Sequence, residues 1–301
     1  MTDKRLVVVS GAAGAVGGAV AERLREAGWR VRGIDLRPAS HGVDEMLVGD
    51  CADAEFAQRA VSGAAALVHL AAQPSPDRVR PARTFLNNVP ASFTLCHAAA
   101  EEGIGVIVAA SSISILGMAY APDDSTVVPY VPVDEETPLQ IADTYALSKG
   151  VDELMLGMIA RRFGTTTIAL RMPFVATGEA LDGWGRAVAA DPVPRTRELW
   201  SYIDTRDAAH AFVQSLEAGL TGAHVLTVAS SASLGSVDVE QLLASHLPTV
   251  EIRERIPAGR SAYSTSLAAE RIGFSARWCW CGGALGDELL SGLHEPDDHA
   301  P

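Results

Sequence analysis

Three glycines constrain this chain more than any other feature. In VVVSGAAGAVGGAV, Gly11, Gly14 and Gly17 separate a short apolar run, residues 5–10, from a stretch with Val20, Leu24 and Ala27 at helical spacing that Gly28 ends. Such a run suits a strand buried on both faces, and a tight turn from strand into helix favours residues without side chains. Gly11 permits the turn, Gly14 lets the backbone approach a pyrophosphate, and Gly17 allows close packing of helix on sheet. Ala15 and Val16 open the helix, whose free N–H groups suit a phosphate. The stretch therefore predicts a dinucleotide-binding turn with Gly11, Gly14, Ala15, Val16 and Gly17 as contacts. A plain packing turn is the alternative in a chain this rich in Ala and Gly.

The same rhythm continues downstream. Strands are expected at 29–35, 44–50, 65–72, 105–112 and 165–172, with helices over 53–61, 81–102 and 143–163. Pro90 stands as a possible start or kink in the second of these helices. Residues 118–141, rich in Pro and Asp, form a surface excursion of the kind that lines sites. The period weakens beyond Pro173, then returns as a helix at 205–217, a strand at 223–229 and helices near 237–247 and 265–272. These alternations predict an α/β fold, a Rossmann-type doubly wound parallel sheet with a small, mainly carboxy-terminal lobe. Residues 1–172, with 201–230 returning, are assigned to nucleotide binding. Residues 173–200 and 231–295 are assigned to a substrate lobe, and 296–301 to a flexible tail.

Asp35 closes the second strand, where a carboxylate accepts hydrogen bonds from a ribose diol and repels a 2′-phosphate. That favours NAD over NADP, although Arg37 is close enough to meet such a phosphate. Asp50 ends the next strand, as a contact to adenine or as a turn cap. Ala71 and Ala72 follow the fourth strand and would line the cofactor.

The formal net charge of -13 argues against nucleic acid and against anionic membrane as partners. No stretch is long enough to span a bilayer, and the amino-terminal apolar run is too short for a signal peptide. Cys51, Cys96, Cys279 and Cys281 include a CxC pair but no four-ligand pattern, so free thiols and no metal site are expected in a reducing, cytoplasmic setting. The histidines are scattered; His69 and His97 suit core-edge hydrogen bonding.

Tyr145 and Lys149 share one helical face, about 6 Å apart along the axis at a rise of about 1.5 Å per residue. Alone, that spacing is commonplace. Together with the glycine turn, Asp35, VHLAA (68–72) and AASSISILG (109–117), it resembles the extended short-chain dehydrogenase/reductases, in particular their NAD-dependent epimerase/dehydratase group. The order matches over residues 5–230, with YIDTRDAAHAF (202–212) and STSLAAERIGF (264–274) as later signatures. The resemblance implies NAD as cofactor, with Tyr145, Lys149, Ser112 and a supporting Asn88 as the catalytic set. Ser111 competes with Ser112, Ser114 is a third choice, and Asn87 replaces Asn88 on a one-residue shift. It also implies a homodimer paired through helices 81–102 and 143–163.

The chemistry is coherent. A phenol ionises near pH 10 and is a poor base at neutrality, while an adjacent ammonium and an oxidised nicotinamide favour the phenolate. Lys149 would also hold the nicotinamide ribose, and Ser112 the substrate oxygen. Departures from the family narrow the reaction. Ser112 is followed by Ile113 and Ser114, without the Asp-Glu pair of the dehydratases. In LRMPFVATG, Phe174 stands where epimerases carry an asparagine, and Trp200 stands near a customary arginine, although Arg195, Arg197 and Arg206 lie close by. The substrate set is therefore Ser111, Ser112, Phe174, Thr177, Trp184 and Trp200, around a small molecule that is apolar or unphosphorylated. The leading expectation is an NAD-dependent dehydrogenase/reductase acting on a secondary alcohol or ketone. An epimerase working through a transient ketone is the alternative, and a non-catalytic NAD-binding protein a lesser one.

Overall fold

A computed structural model describes residues 5–39, 41–77, 79–122 and 126–280, together with the backbone of Leu285–Gly286. The first half alternates as expected: β1 (Leu6–Ser10), α1 (Ala15–Glu26), β2 (Arg30–Asp35), β3 (Glu45–Val48), α2 (Ala54–Val61), β4 (Ala66–His69), α3 (Pro81–Glu101) and β5 (Val106–Ser112). Next come β6 (Tyr130–Val131), α4 (Thr144–Phe163), β7 (Thr166–Met172), β8 (Phe174–Ala176), α5 (Gly178–Ala190) and β9 (Tyr202–Asp204). The remainder holds α6 (Thr205–Glu217), β10 (Ala223–Thr227), α7 (Val239–His246) and α8 (Ser266–Ile272).

Seven strands form one parallel sheet in the order β10-β7-β5-β4-β1-β2-β3. This is the α/β doubly wound arrangement. Helices α1 and α6 cover one face through Val20, Leu24, Ala208 and Phe212, and α2, α3 and α4 cover the other through Phe56, Leu95 and Ile159. The strand order reverses between β1 and β4, so their carboxyl ends diverge and open a crevice.

Local chemistry sets the helix that matters most. Asp143 caps α4, its Oδ1 accepting from Tyr145 N at 2.8 Å and Ala146 N at 2.9 Å. Gly164, at φ 73°, stops the helix. A cap of this kind stabilises a helix by about 1 kcal/mol. Here it also fixes where the first turn, and hence Tyr145, begins. Helix α3 runs through Pro90 without interruption and starts instead at Pro81.

A second apolar cluster gathers Ile115, Val131, Leu181, Trp200, Tyr202, Leu243, Tyr263 and Trp280 beside the carboxyl ends of the strands. Two features here differ from expectation. Residues 178–190 form a helix, and β8 pairs with β9 in parallel as a small sheet of their own. The buried face of α5 consists of Leu181, Gly185 and Val188, and a Cβ on Gly185 would fall 2.4 Å from the Trp280 indole. A glycine in the centre of the packed face weakens the apolar period. The excursion at 118–141 contains β6, which pairs with Glu251–Ile252. Cys281, His294, His299 and the tail at 296–301 lie outside the described residues.

Candidate active site

The crevice is a continuous cleft with two chambers, of about 830 Å³ and 530 Å³. Both are walled by Gly11, Gly14, Leu70 and Ala72. The larger extends past Asp35, Asp50, Ala71 and Asn88, and the smaller holds Ser112, Tyr145 and Lys149.

The larger chamber is shaped for a nucleotide. Gly11 turns the chain at φ 73°, and a Cβ there would meet Ala71 N at 2.9 Å. A Cβ on Gly17 would lie 2.0 Å from the Gly11 carbonyl oxygen. Any side chain at either position would force the turn to shift. Gly14 caps α1, leaving the helix amino terminus, with Ala15, Val16 and Gly17, open to the smaller chamber. Asp35 Oδ2 accepts from Ala13 N at 3.1 Å, so the carboxylate braces the glycine turn while facing the cleft. Asp50 Oδ1 accepts from Ala52 N at 2.8 Å and also reaches the cleft. Arg37 lies beside them. A phosphate-seeking turn, a helix amino terminus and a ribose-seeking carboxylate in one groove fit an adenine dinucleotide.

In the smaller chamber Tyr145 is buried and stacks edge-on against Tyr120, with ring centroids 6.1 Å apart. Lys149 Nζ donates to the Ala110 carbonyl at 2.8 Å and to Asp152 Oδ2 at 3.2 Å. Burial opposes its charge, but Asp152 and Tyr145 outweigh that and hold the ammonium above its ordinary pKa. The serines divide clearly. Ser111 donates to Glu153 Oε1 at 2.7 Å, and Arg171 holds that same carboxylate, so the Ser111 hydroxyl braces β5 against α4. It is a poor partner for a substrate. Ser112 Oγ accepts from Ser114 N at 3.1 Å, which keeps its own hydrogen available in the cleft. Ser114, the third choice from sequence, also lines the chamber, and its buried hydroxyl has no hydrogen-bond partner.

Asn88 is buried beside the larger chamber. Its amide exchanges hydrogen bonds with Gln73 N (2.8 Å) and Gln73 O (3.1 Å) and donates to Ser148 Oγ at 3.2 Å. It thus ties the loop after β4 to α4. Asn87 is exposed at the edge of the larger chamber.

Three expected substrate contacts fall elsewhere. Trp200 is fully buried in the second apolar cluster and gives its indole N–H to the Pro192 carbonyl at 2.7 Å. The lobe needs a large core side chain there, and the cleft lies beyond its reach. Thr177 is exposed at the start of α5, its hydroxyl turned to Asp204 at 3.3 Å. Trp184 is half-exposed outside the chamber wall but packs edge-on against Phe174, which does line it.

Two charged residues outside the sequence-derived substrate set also line the chamber: Arg195 and Glu198. Arg195 stacks 3.8 Å from the Trp184 ring centroid and 5.0 Å from that of Phe174, and is paired with Glu198 at 3.3 Å. Both sit on the short 3-10 segment Val193–Glu198, which has no periodic pattern to reveal its facing. A guanidinium thus lines the chamber from Arg195, while Trp200 lies in the lobe core.

Cys51 and Cys96 are buried thiols pushed upward by desolvation, Cys51 to about 12. Among the described residues no group of three His, Cys, Asp or Glu is placed to hold a metal, and no helix is long and apolar enough to cross a membrane.

Comparison with known proteins agrees with this geometry. Uronate dehydrogenase of Pseudomonas syringae pv. tomato is 28% identical over 170 residues, covering 55% of this chain and 58% of that protein. UDP-glucose 4-epimerase of Azospirillum brasilense is 30% identical over 206 residues, covering 64% and 56% respectively. The chain thus spans a little over half the length of the curated relatives it matches. Among solved structures, a short-chain dehydrogenase/reductase superfamily protein from Agrobacterium tumefaciens with bound NAD superposes with a TM-score of 0.70 at 23% identity, over 91% of this chain and 93% of that one. UDP-glucose 4-epimerase from Brucella ovis in complex with NAD gives 0.67 at 22%, over 90% and 93%. At such identities the likeness to these two is one of fold. The glycine turn, Asp35, Tyr145 and Lys149 all fall within residues 7–227, which match the NAD dependent epimerase/dehydratase family, and the chain belongs to that family.

Proposed function

We propose that this protein is an NAD-dependent epimerase of a sugar or sugar nucleotide, working through a transient ketone. The observation that carries the reading is that Ser112, Tyr145, Lys149 and Arg195 share one chamber, continuous with the groove of Asp35 and the glycine turn. NAD bound in that groove supplies a reversible hydride acceptor. Gly11, Gly14, Ala15, Val16 and Gly17 hold its phosphates, Asp35 its adenosine ribose, and Asp50, Ala71 and Ala72 line its adenine half. Tyr145 takes the proton from the substrate hydroxyl and returns it after the ketone has turned, and Ser112 keeps the substrate oxygen in reach. Lys149 holds the nicotinamide ribose and stabilises the phenolate. Arg195 offers a planar donor fork to a phosphate or carboxylate on the substrate. In this reading residues 173–200 and the described part of 231–295 form the substrate lobe.

The sequence alone favours simple dehydrogenase action, because Phe174 and Trp200 stand where the family carries polar anchors. Arg195 removes half of that argument. Phe174, which does line the chamber, still favours a second reading, a dehydrogenase of an unphosphorylated sugar or sugar acid.

Denaturing extraction of the purified protein followed by nucleotide identification separates the two. Retained NAD, with UDP-glucose converted to its 4-epimer and no net NADH release, supports epimerisation. Stoichiometric NADH release from a free uronate or sugar without epimer would move the assignment to dehydrogenase. Tyr145→Phe should lower either turnover about 10²–10⁴-fold, and full activity in that variant would reject both.

A further inference from the structure

Lys149 is one of only two lysines in the chain, the other being Lys4. It lies almost entirely buried, and two of its three N–H groups are committed, to the Ala110 carbonyl and to Asp152. The third remains for a ligand in the cleft. Asp152, one turn further along α4, is itself buried and interacts with the Ser92 hydroxyl on α3.

Behind Ser92 runs a chain of hydrogen bonds whose direction can be worked out. Ser10 Oγ accepts from Leu70 N at 3.0 Å and Ala71 N at 3.2 Å, so its own hydrogen goes to His69 Nδ1 at 2.8 Å. Burial and the nearby Lys149 charge keep the imidazole neutral, its pKa lowered to about 3. With Nδ1 accepting, Nε2 carries the hydrogen and gives it to Ser92 Oγ at 2.9 Å. The Ser92 hydroxyl is then left facing the Asp152 carboxylate, whose Oδ1 has no hydrogen-bond partner of its own. Ser10 ends β1 and directly precedes Gly11 of the nucleotide turn.

We propose that Asp152 is a positioning counter-ion for Lys149, aimed by the buried Ser10–His69–Ser92 chain that ties the catalytic lysine to the nucleotide turn. The role of Lys149 in this proposal rests on the function proposed above. Burial without a counter-charge strips the proton from a lysine. The groups facing Lys149 are few. Tyr145 lies on its own helix, as does Glu153, which is ion-paired with Arg171 from β7. Cys96 on α3 is a buried thiol, and His69 on β4 is neutral. Among the described residues Asp152 supplies the one carboxylate within ion-pair distance of Lys149. Removing it takes away both the charge and the direction of the ammonium.

Ligand-free protein labelled with [15N]lysine tests this, because two side-chain signals are simple to assign with Lys149→Met. The wild-type Lys149 ammonium should remain protonated beyond pH 10. Asp152→Asn should lower its proton affinity tenfold or more, and Ser92→Ala should shift it the same way by less. The high-pH limb of kcat/KM should move to lower pH in step. An unchanged Lys149 titration in Asp152→Asn overturns the proposal. If that variant does not fold, an unchanged titration in Ser92→Ala overturns it. A shifted titration in a protein without any epimerase or dehydrogenase turnover supports the counter-ion and defeats only the function proposed above.

Discussion

The guanidinium of Arg195 lies 3.8 Å from the centre of the Trp184 ring, on a short turn that carries it to the substrate end of the cleft. Stacking on Trp184 and Phe174 holds its plane, and one of its five donors is used by Glu198. Arg195→Ala should raise KM for a UDP-sugar about 10- to 100-fold, as for loss of a charged hydrogen bond worth roughly 1.5–3 kcal/mol. kcat should change little. Arg195→Lys keeps the charge but loses the plane, and should recover only part of the effect. Steady-state kinetics on a UDP-sugar and a free sugar check this, the free sugar being the insensitive one.

Gly17 and Gly18 are adjacent and should respond oppositely to alanine. A Cβ on Gly17 would lie 2.0 Å from the Gly11 carbonyl oxygen, whereas on Gly18 the nearest atom is 3.8 Å away. Gly17→Ala should displace the turn, abolish NAD binding and lower Tm by several degrees. Gly18→Ala, within α1, should be neutral or stabilise by up to about 1 kcal/mol. Calorimetric titration with NAD and thermal melts distinguish the two.

His69 gives the protein an acid weakness. Its folded pKa is lowered to about 3, first by desolvation and then by Lys149, against an ordinary value of 6.5. The unfolded chain takes up a proton near pH 6.5 that the folded chain refuses, so the contribution is intact above that pH and lost progressively as pH falls toward 3. The slope approaches 1.4 kcal/mol per pH unit, on the order of the linkage for one proton. Urea unfolding of wild type and His69→Gln at pH 7, 6 and 5 should show the wild type losing stability faster on acidification.

Leu86 and Phe93 on α3, with Leu147 and Leu154 on α4, stand exposed at seven-residue spacing. We propose that two copies meet through these faces. Leu154→Asp should then move the wild-type dimer to monomer in analytical ultracentrifugation while leaving NAD binding within about threefold. A monomeric wild type would refute the pairing.

Sequence and structure agree where one segment decides its own conformation. The β1 turn into α1 is legible because glycine spacing and apolar period stand side by side. Tyr145 and Lys149 are legible because they stand four residues apart within one expected helix, which forms as α4. Other features depend on distant partners. Helix α5 escapes notice because Gly185 makes room for Trp280, which is remote in sequence. Trp200 looks like a wall residue beside a motif, yet the lobe core claims it. Arg195 and Glu198 enter the cleft from a turn with no period. Asp152 was visible three residues after Lys149, but only the fold shows that both are buried together.

The two chambers share Gly11, Gly14, Leu70 and Ala72 in their walls, so Ala72 stands where one passes into the other. A bulky residue there, such as leucine, would divide one long berth into two short ones. The protein would still welcome AMP in the outer berth while refusing the full-length dinucleotide. On the nucleotide reading proposed above, the small side chain at 72 leaves room for a guest that spans both chambers.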